Sequence, residues 1–220
     1  IDALEHAGYC EIPQIQLAGM KSSLAGIYDF NAFPESAISL YEESIVIFES
    51  LDPPLEEDVA NLRNNLAMIY KDAGYFDQAE DNYIKSLEIL ERLHGRQHED
   101  VASIYNNLGA LYYTTGYCAQ AREMHGQAFE IRSSLEVKNY ADIGQSCSNL
   151  ATCLHELGEP AEAQKQFEIA LKHLEHTLSN DSEMYSIVSS NFATLLRDLK
   201  KEKKALGVEK RTSKLLKKLG

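Results

Sequence analysis

Apolar residues in this chain recur at helical spacing, in paired stripes separated by short polar breaks. Val59, Leu62, Leu66, Ile69 and Tyr70 mark one side of a helix that ends near Gly74. Ala79, Tyr83, Leu87 and Leu90 mark a second helix running to about Gly95. The break at Gly74–Asp77 is short enough to leave the two antiparallel, as a helical hairpin. The pattern returns in Val101, Leu108, Leu111, Tyr112, Gly116, Ala121, Phe129 and Ile131.

The return is strictly periodic. Leu24, Leu66, Leu108, Leu150 and Phe192 lie forty-two residues apart, and Ala37, Ala79, Ala121, Ala163 and Ala205 keep the same register. A fixed period in this range means one supersecondary unit stacked on copies of itself. Pro34 and Pro160 fall where second helices begin, a place that tolerates proline because the first-turn N–H groups lack helical partners. The stripes Tyr28, Tyr70, Tyr112 and Tyr41, Tyr83, Phe167 share this register and are expected in the core.

The run Asn65-Leu66-Ala67 with Tyr70, Gly74, Ala79 and Tyr83 resembles the tetratricopeptide repeat signature, as does Asn107-Leu108-Gly109 with Tyr112, Gly116 and Ala121. The resemblance implies an all-α, right-handed α-solenoid: one domain over 1–220, with five helix-turn-helix units at about 17–58, 59–100, 101–142, 143–184 and 185–220. A partial N-terminal helix over 1–8 would precede them, because Asp2 lies one period before Ser44. The usual repeat has about 34 residues. Its helix-ending proline is replaced here by Glu49, Glu91, Ser133 and Glu175, so the second helix is expected to run on by about two turns. That longer unit, with Leu93-His94-Gly95 and His98-Glu99-Asp100-Val101-Ala102 between repeats, is similar to the kinesin light chain subgroup.

The two ends differ. At the C-terminus Lys200-Lys201 replace the turn glycine and its neighbour, and Glu209 and Ser213 occupy apolar positions of the array. That polarity predicts a true C-terminal cap, whereas the period continued back to Asp2 predicts an open N-terminal end.

Charge sharpens the contrast. Residues 197–220 carry ten Lys/Arg against three Asp/Glu, a net of +7, which leaves −20 on the rest of a chain of net −13. An acidic body argues against nucleic acid as the main partner. No apolar run approaches the roughly 20 residues that a membrane span needs. Four cysteines (Cys10, Cys118, Cys147, Cys153) are too few for a disulfide framework, which favours reduced thiols and a cytoplasmic setting. The basic C-terminal helix reads mainly as a solvated cap face, its cations favourably placed at a helix C-terminus.

In the family the first helices line the concave surface, and this implies where ligands meet the chain. The corresponding positions are Asn61, Asn64, Asn65, Met68 and Lys71, then Ser103, Asn106, Asn107, Ala110 and Tyr113. Gln145, Ser148, Asn149, Thr152 and His155 follow, and then Ser190, Asn191, Thr194 and Arg197. An asparagine amide offers both a donor and an acceptor. The in-register set Asn65, Asn107, Asn149 and Asn191 can therefore pair with the backbone of an extended peptide, or with a neighbouring repeat. The family's carboxylate clamp is missing, because its basic positions hold Asn61, Ser103, Gln145 and Asn149.

Chemistry is sparse elsewhere. His173 and His176 share a helix face without a third ligand in view, and His94 and His98 occupy a polar linker beside Glu99 and Asp100, a poor cage for zinc. No metal site or cofactor is expected. No phosphate loop, nucleophile elbow or paired-carboxylate motif occurs. The sequence therefore points away from an enzyme and toward an interaction module for a peptide or partner helix. The alternative is an architectural or self-assembling segment of a longer repeat protein, whose open N-terminal face stacks on preceding repeats or on another copy.

Overall fold

The computed structural model describes residues 13–180 and 182–218, so the partial helix expected over 1–8 lies outside the described residues. Regular structure among them is entirely helical. In order the helices are α1 (Gln14–Phe30), α2 (Pro34–Ser50), α3 (Glu56–Asp72), α4 (Phe76–His94) and α5 (Glu99–Thr114). They continue with α6 (Cys118–Ser134), α7 (Tyr140–Glu156), α8 (Pro160–Leu174), α9 (Ser182–Asp198) and α10 (Glu202–Leu216). Two compact units divide the chain, one up to Ile89 and one from Leu90.

The same turn closes each hairpin. Its pivot has positive φ at Ala32 (60°), Gly74 (84°), Gly116 (84°), Gly158 (76°) and Lys200 (57°), spaced one period apart. The next residue then reaches back across the helix end, as Tyr75 N–H does to Tyr70 O (2.8 Å) and Tyr117 N–H to Tyr112 O (2.8 Å). Lys201 N–H makes the same bond to Leu196 O at 2.8 Å. These bonds satisfy carbonyls that the helix end leaves open. Glycine suits the pivot because a Cβ there crowds the following carbonyl. Ala32 and Lys200 carry that strain, which shows that flanking packing sets the turn.

In the first unit α1 packs on α2 and α2 on α3. Ala25 and Ala37 are fully buried and let the helices approach closely, while Tyr41, Ile45, Phe48 and Leu66 fill the space between hairpins. Ser44 donates to the Ala18 carbonyl (2.8 Å), and Ser86 repeats the bond one period later to Ala60 (2.7 Å). The outer side of α1 is different. Leu17, Met20, Leu24 and Ile27 are 36%, 59%, 42% and 58% exposed, although their counterparts Val59, Leu62, Leu66 and Ile69 are buried.

In the second unit each helix from α5 to α10 packs on the next, and the first helices also touch one another, α5 with α7 and α7 with α9. Phe167 stacks on Phe192 in the core of the last two hairpins (5.6 Å between ring centroids). One repeat departs from the apolar plan. His125, in register with Tyr41, Tyr83 and Phe167, is buried with its ring against Gly109. A Cβ on Gly109 would come within 2.6 Å of that ring, so the alanine found at this register in Ala67 and Ala151 cannot fit. Burial, and secondarily the charge of Arg132, pushes the His125 pKa down to about 4.

In thermal melts Gly116→Ala should cost about 1 kcal/mol, a few degrees in Tm, whereas Lys200→Gly should raise Tm by relieving the same strain. His125 is neutral when folded, and once unfolded it takes up a proton at about pH 6.5. The unfolded chain therefore binds more protons between pH 6.5 and 4, and on the order of 3 kcal/mol of stability should be lost as pH falls through that window. Urea midpoints measured across it should fall less steeply for His125→Gln than for the parent.

Candidate functional site

α3 presents the candidate residues of the first unit. Asn61 and Asn65 are exposed, Met68 is exposed beside them, and Asn64 is half-buried with its amide directed at Asn65 Oδ1 (3.4 Å). Asn65 also hydrogen-bonds the Tyr41 hydroxyl of α2, so this amide is partly held by the neighbouring hairpin. Lys71 is paired with Asp72 at 2.7 Å, which removes most of its charge from the surface.

In the second unit the candidates lie on three adjacent first helices, α5, α7 and α9. Asn191, Ser190, Thr194 and Tyr113 are exposed. Asn107, Ala110, Gln145, Asn149, Thr152 and His155 are half-buried around them. Thr152 spends its hydroxyl on the Ser148 carbonyl (3.0 Å), and Ser148 itself is buried. His155 Nε2 lies 3.5 Å from the Asp198 carboxylate. Arg197 is held by Glu209 at 2.6 Å and Glu202 at 3.5 Å. The cations of this row are thus matched by carboxylates, and the exposed chemistry is that of neutral amides and hydroxyls.

Besides Ser148, two of the expected surface residues turn inward. Asn106 is buried, and its Oδ1 accepts from Asn149 Nδ2 at 3.1 Å and from His125 Nδ1 at 3.2 Å. Because that oxygen can only accept, the His125 proton sits on Nδ1. Asn106 is therefore the hub of a link between α5, α6 and α7, and Asn149 is anchored by it. Ser103 is likewise committed, accepting from Arg132 (3.0 Å) and donating to Glu99 (3.3 Å).

Arg132 is the polar centre that the sequence pattern did not reveal. It is 5% exposed at a register held by Phe48, Leu90 and Leu174 in other repeats. Glu99 pairs with it at 2.8 Å, Ser146 accepts at 2.9 Å and the Asp142 carbonyl at 3.3 Å. Ser146 in turn replaces Leu62, Ile104 and Val188 of the array. A polar residue at an apolar register, matched by a second facing it, was the available signal.

The histidines of the inter-repeat linker also come together. The rings of His94 and His98 stack at 4.4 Å, and one ligand atom from each of His94, His98 and Asp100 lies within 4.8 Å of the others. His173 and His176 both stack on Tyr140, at 5.9 and 4.4 Å. Among the described residues Cys118, Cys147 and Cys153 are free thiols, and burial pushes Cys147 and Cys153 up to about 12, which leaves them unreactive. No described helix is long and apolar enough to cross a membrane.

Comparison with known proteins agrees with this geometry. The family profile described as "Tetratricopeptide repeat" matches residues 58–134 and 142–218. Among solved structures, BtubC (BKLC) from P. vanneervenii is 34% identical with a TM-score of 0.71, over 82% of this chain and 72% of that one. A Podosopora anserina protein described as a kinesin light chain with nearly identical TPR-like repeats superposes with a TM-score of 0.76 at 18% identity, over 94% and 97% of the two chains. The apo form of RapI gives 0.79 at 15% identity, over 99% of this chain and 58% of that one. The last two likenesses concern the fold alone. No curated protein matches the chain. The ten helices among the described residues with their forty-two-residue periodicity, the repeated turn and the two profile matches place this chain in the tetratricopeptide repeat family, with repeats similar to those of kinesin light chain.

Proposed function

We propose that the chain is a non-enzymatic, cytoplasmic interaction module that holds an extended peptide, or a partner helix, on the row formed by α5, α7 and α9. Repeats of this family generally mediate protein–protein interaction. The observation that carries the reading is the character of the exposed row. Asn191 and Tyr113 are exposed and Asn107 and Gln145 half-buried along it, while Arg197 is neutralised by Glu209 and Glu202. Such a surface reads a peptide backbone by hydrogen bonds and contributes little long-range charge attraction. Asn61, Asn65 and Met68 of α3 offer the same chemistry in the first unit. The free, buried thiols fit a reducing compartment.

A peptide library screened by anisotropy tests the row. Asn107→Ala/Asn191→Ala should weaken the selected peptide about tenfold or more, since two hydrogen bonds of about 1 kcal/mol each are lost. Equal affinity in a variant whose circular dichroism is unchanged removes the row from the binding site.

A second reading rests on the α1 face, where four positions buried in other repeats are exposed. We assign that face to a second copy of the chain, in a symmetric α1-to-α1 contact. A head-to-tail contact would meet a mostly polar surface, because the corresponding face of α10 carries Glu209 and Ser213, with Lys217 just beyond it, around a single exposed leucine, Leu206. Lys21, within the α1 face, is paired with Glu43, so two copies bring no bare like charges together. Light scattering across concentration should show dimers that Met20→Glu/Ile27→Glu reduces to monomers. A parent that stays monomeric throughout eliminates this reading.

A further inference from the structure

The junction between α4 and α5 holds a side-chain cluster that neither the packing of the array nor the proposed peptide row uses. α4 ends at His94, Gly95 turns the chain back with a φ of 77°, and His98 caps α5. This tight reversal lays the two imidazoles face to face at 4.4 Å, 20° from parallel. Asp100, in the first turn of α5, brings its Oδ2 to 3.3 Å from His98 Nδ1. One nitrogen or oxygen from each of the three residues lies within 4.8 Å of the other two. All three residues are half-buried, and His94 Nε2 is shielded from solvent.

The register of the repeat does not call for histidine at either position. His94 corresponds to Asp52, Glu136 and Leu178 in other repeats, and His98 to Glu56, Tyr140 and Ser182. Only the carboxylate recurs, as Asp58 and Asp142, where an acid suits the positive end of a helix. Two imidazoles have been added at one junction beside an acid that was already expected.

The contacts at His98 also carry an internal conflict. The Asp100 amide N–H donates to Nδ1 at 3.3 Å, which requires a bare ring nitrogen. The Asp100 carboxylate stands equally near, and it repels a bare nitrogen. A divalent cation between Nδ1 and Oδ2 replaces the long amide contact with a coordinate bond and cancels the repulsion.

We propose that His94, His98 and Asp100 form a site for a first-row divalent transition metal of the zinc class. Two imidazoles and one carboxylate suit zinc, cobalt, nickel or copper, whereas magnesium and calcium prefer oxygen ligands throughout. Zinc–nitrogen bonds near 2.0–2.1 Å place tetrahedral donors about 3.4 Å apart, so the trio closes by about an ångström on loading. Water completes the coordination. The bound ion ties the end of α4 to the first turn of α5, adding to the bonds by which Arg96 and Gln97 hold the linker to Gln127 and Ser134 of α6.

Titration of the chelator-stripped full chain with zinc chloride, followed by calorimetry and thermal melting, tests the site. One ion should bind per chain and raise Tm, and cobalt should give the visible absorption of a tetrahedral complex. His94→Gln and Asp100→Asn should each weaken zinc at least about tenfold and remove the cobalt band. Asp100→Asn leaves the His98 cap in place, so it decides the matter even if His98→Gln perturbs folding. His173→Gln/His176→Gln, which alters the other histidine pair, should bind zinc as the parent does. Absence of saturable binding at about 100 μM zinc, or equal binding by His94→Gln and Asp100→Asn, overturns the assignment.

Discussion

A helical hairpin of this kind has more apolar surface than it can bury by itself. In the first unit Val59, Leu62, Leu66 and Ile69 of α3 are buried only in a cluster with Tyr41, Ile45 and Phe48 of α2, in the preceding hairpin. α1 shows the constraint directly, since Leu17, Met20, Leu24 and Ile27 occupy the same register and remain exposed. Each repeat is therefore complete only through its neighbours, and the fixed period is the consequence. An insertion in any helix would carry its apolar face out of line with both adjoining repeats.

That dependence governs how polarity enters the core. A lone polar residue at an interior register leaves an unpaired group in a medium of low dielectric, and this costs more than the hydrogen bond it lost. Here the exceptions arrive in sets. His125 comes with Gly109 to make room for its ring and Asn106 to receive its proton. Arg132 comes with Ser146, Ser103 and Glu99. Each set spans more than one helix, so it fixes which hairpin follows which, where interchangeable leucines would not. The buried pair is thus better read as a device of order than as a source of net stability.

The helices, their hairpin pairing and the turns were legible because they depend on spacing that any stretch of chain displays. The absent proline implied second helices running on by about two turns, but α4 ends at His94, three residues past Glu91, and α2, α6 and α8 end at Ser50, Ser134 and Leu174. Residue direction at polar positions was much less legible. Asn106 and Asn107 are adjacent in sequence and chemically identical, yet Asn106 is buried while Asn107 is half-buried. The difference comes from His125 nineteen residues later, whose ring nitrogen needs an acceptor inside the core. Composition alone could not distinguish an asparagine that serves a ligand from one that serves a neighbouring helix. Ser103 and Arg132 repeat the point, because their partners lie in other helices.

Function in such an array is therefore best sought where register leaves a residue free. Asn191 and Tyr113 are exposed and answer no packing demand that the repeat imposes. His94 and His98 stand at a junction whose counterparts manage with acids, a leucine, a tyrosine or a serine. Asn149 belongs on the other side of the line, since its amide is spent on Asn106. A row of identical residues can thus hold two kinds of member, some exposed and some anchored. The anchored ones position the row, and any ligand must be read by those whose amides still face outward.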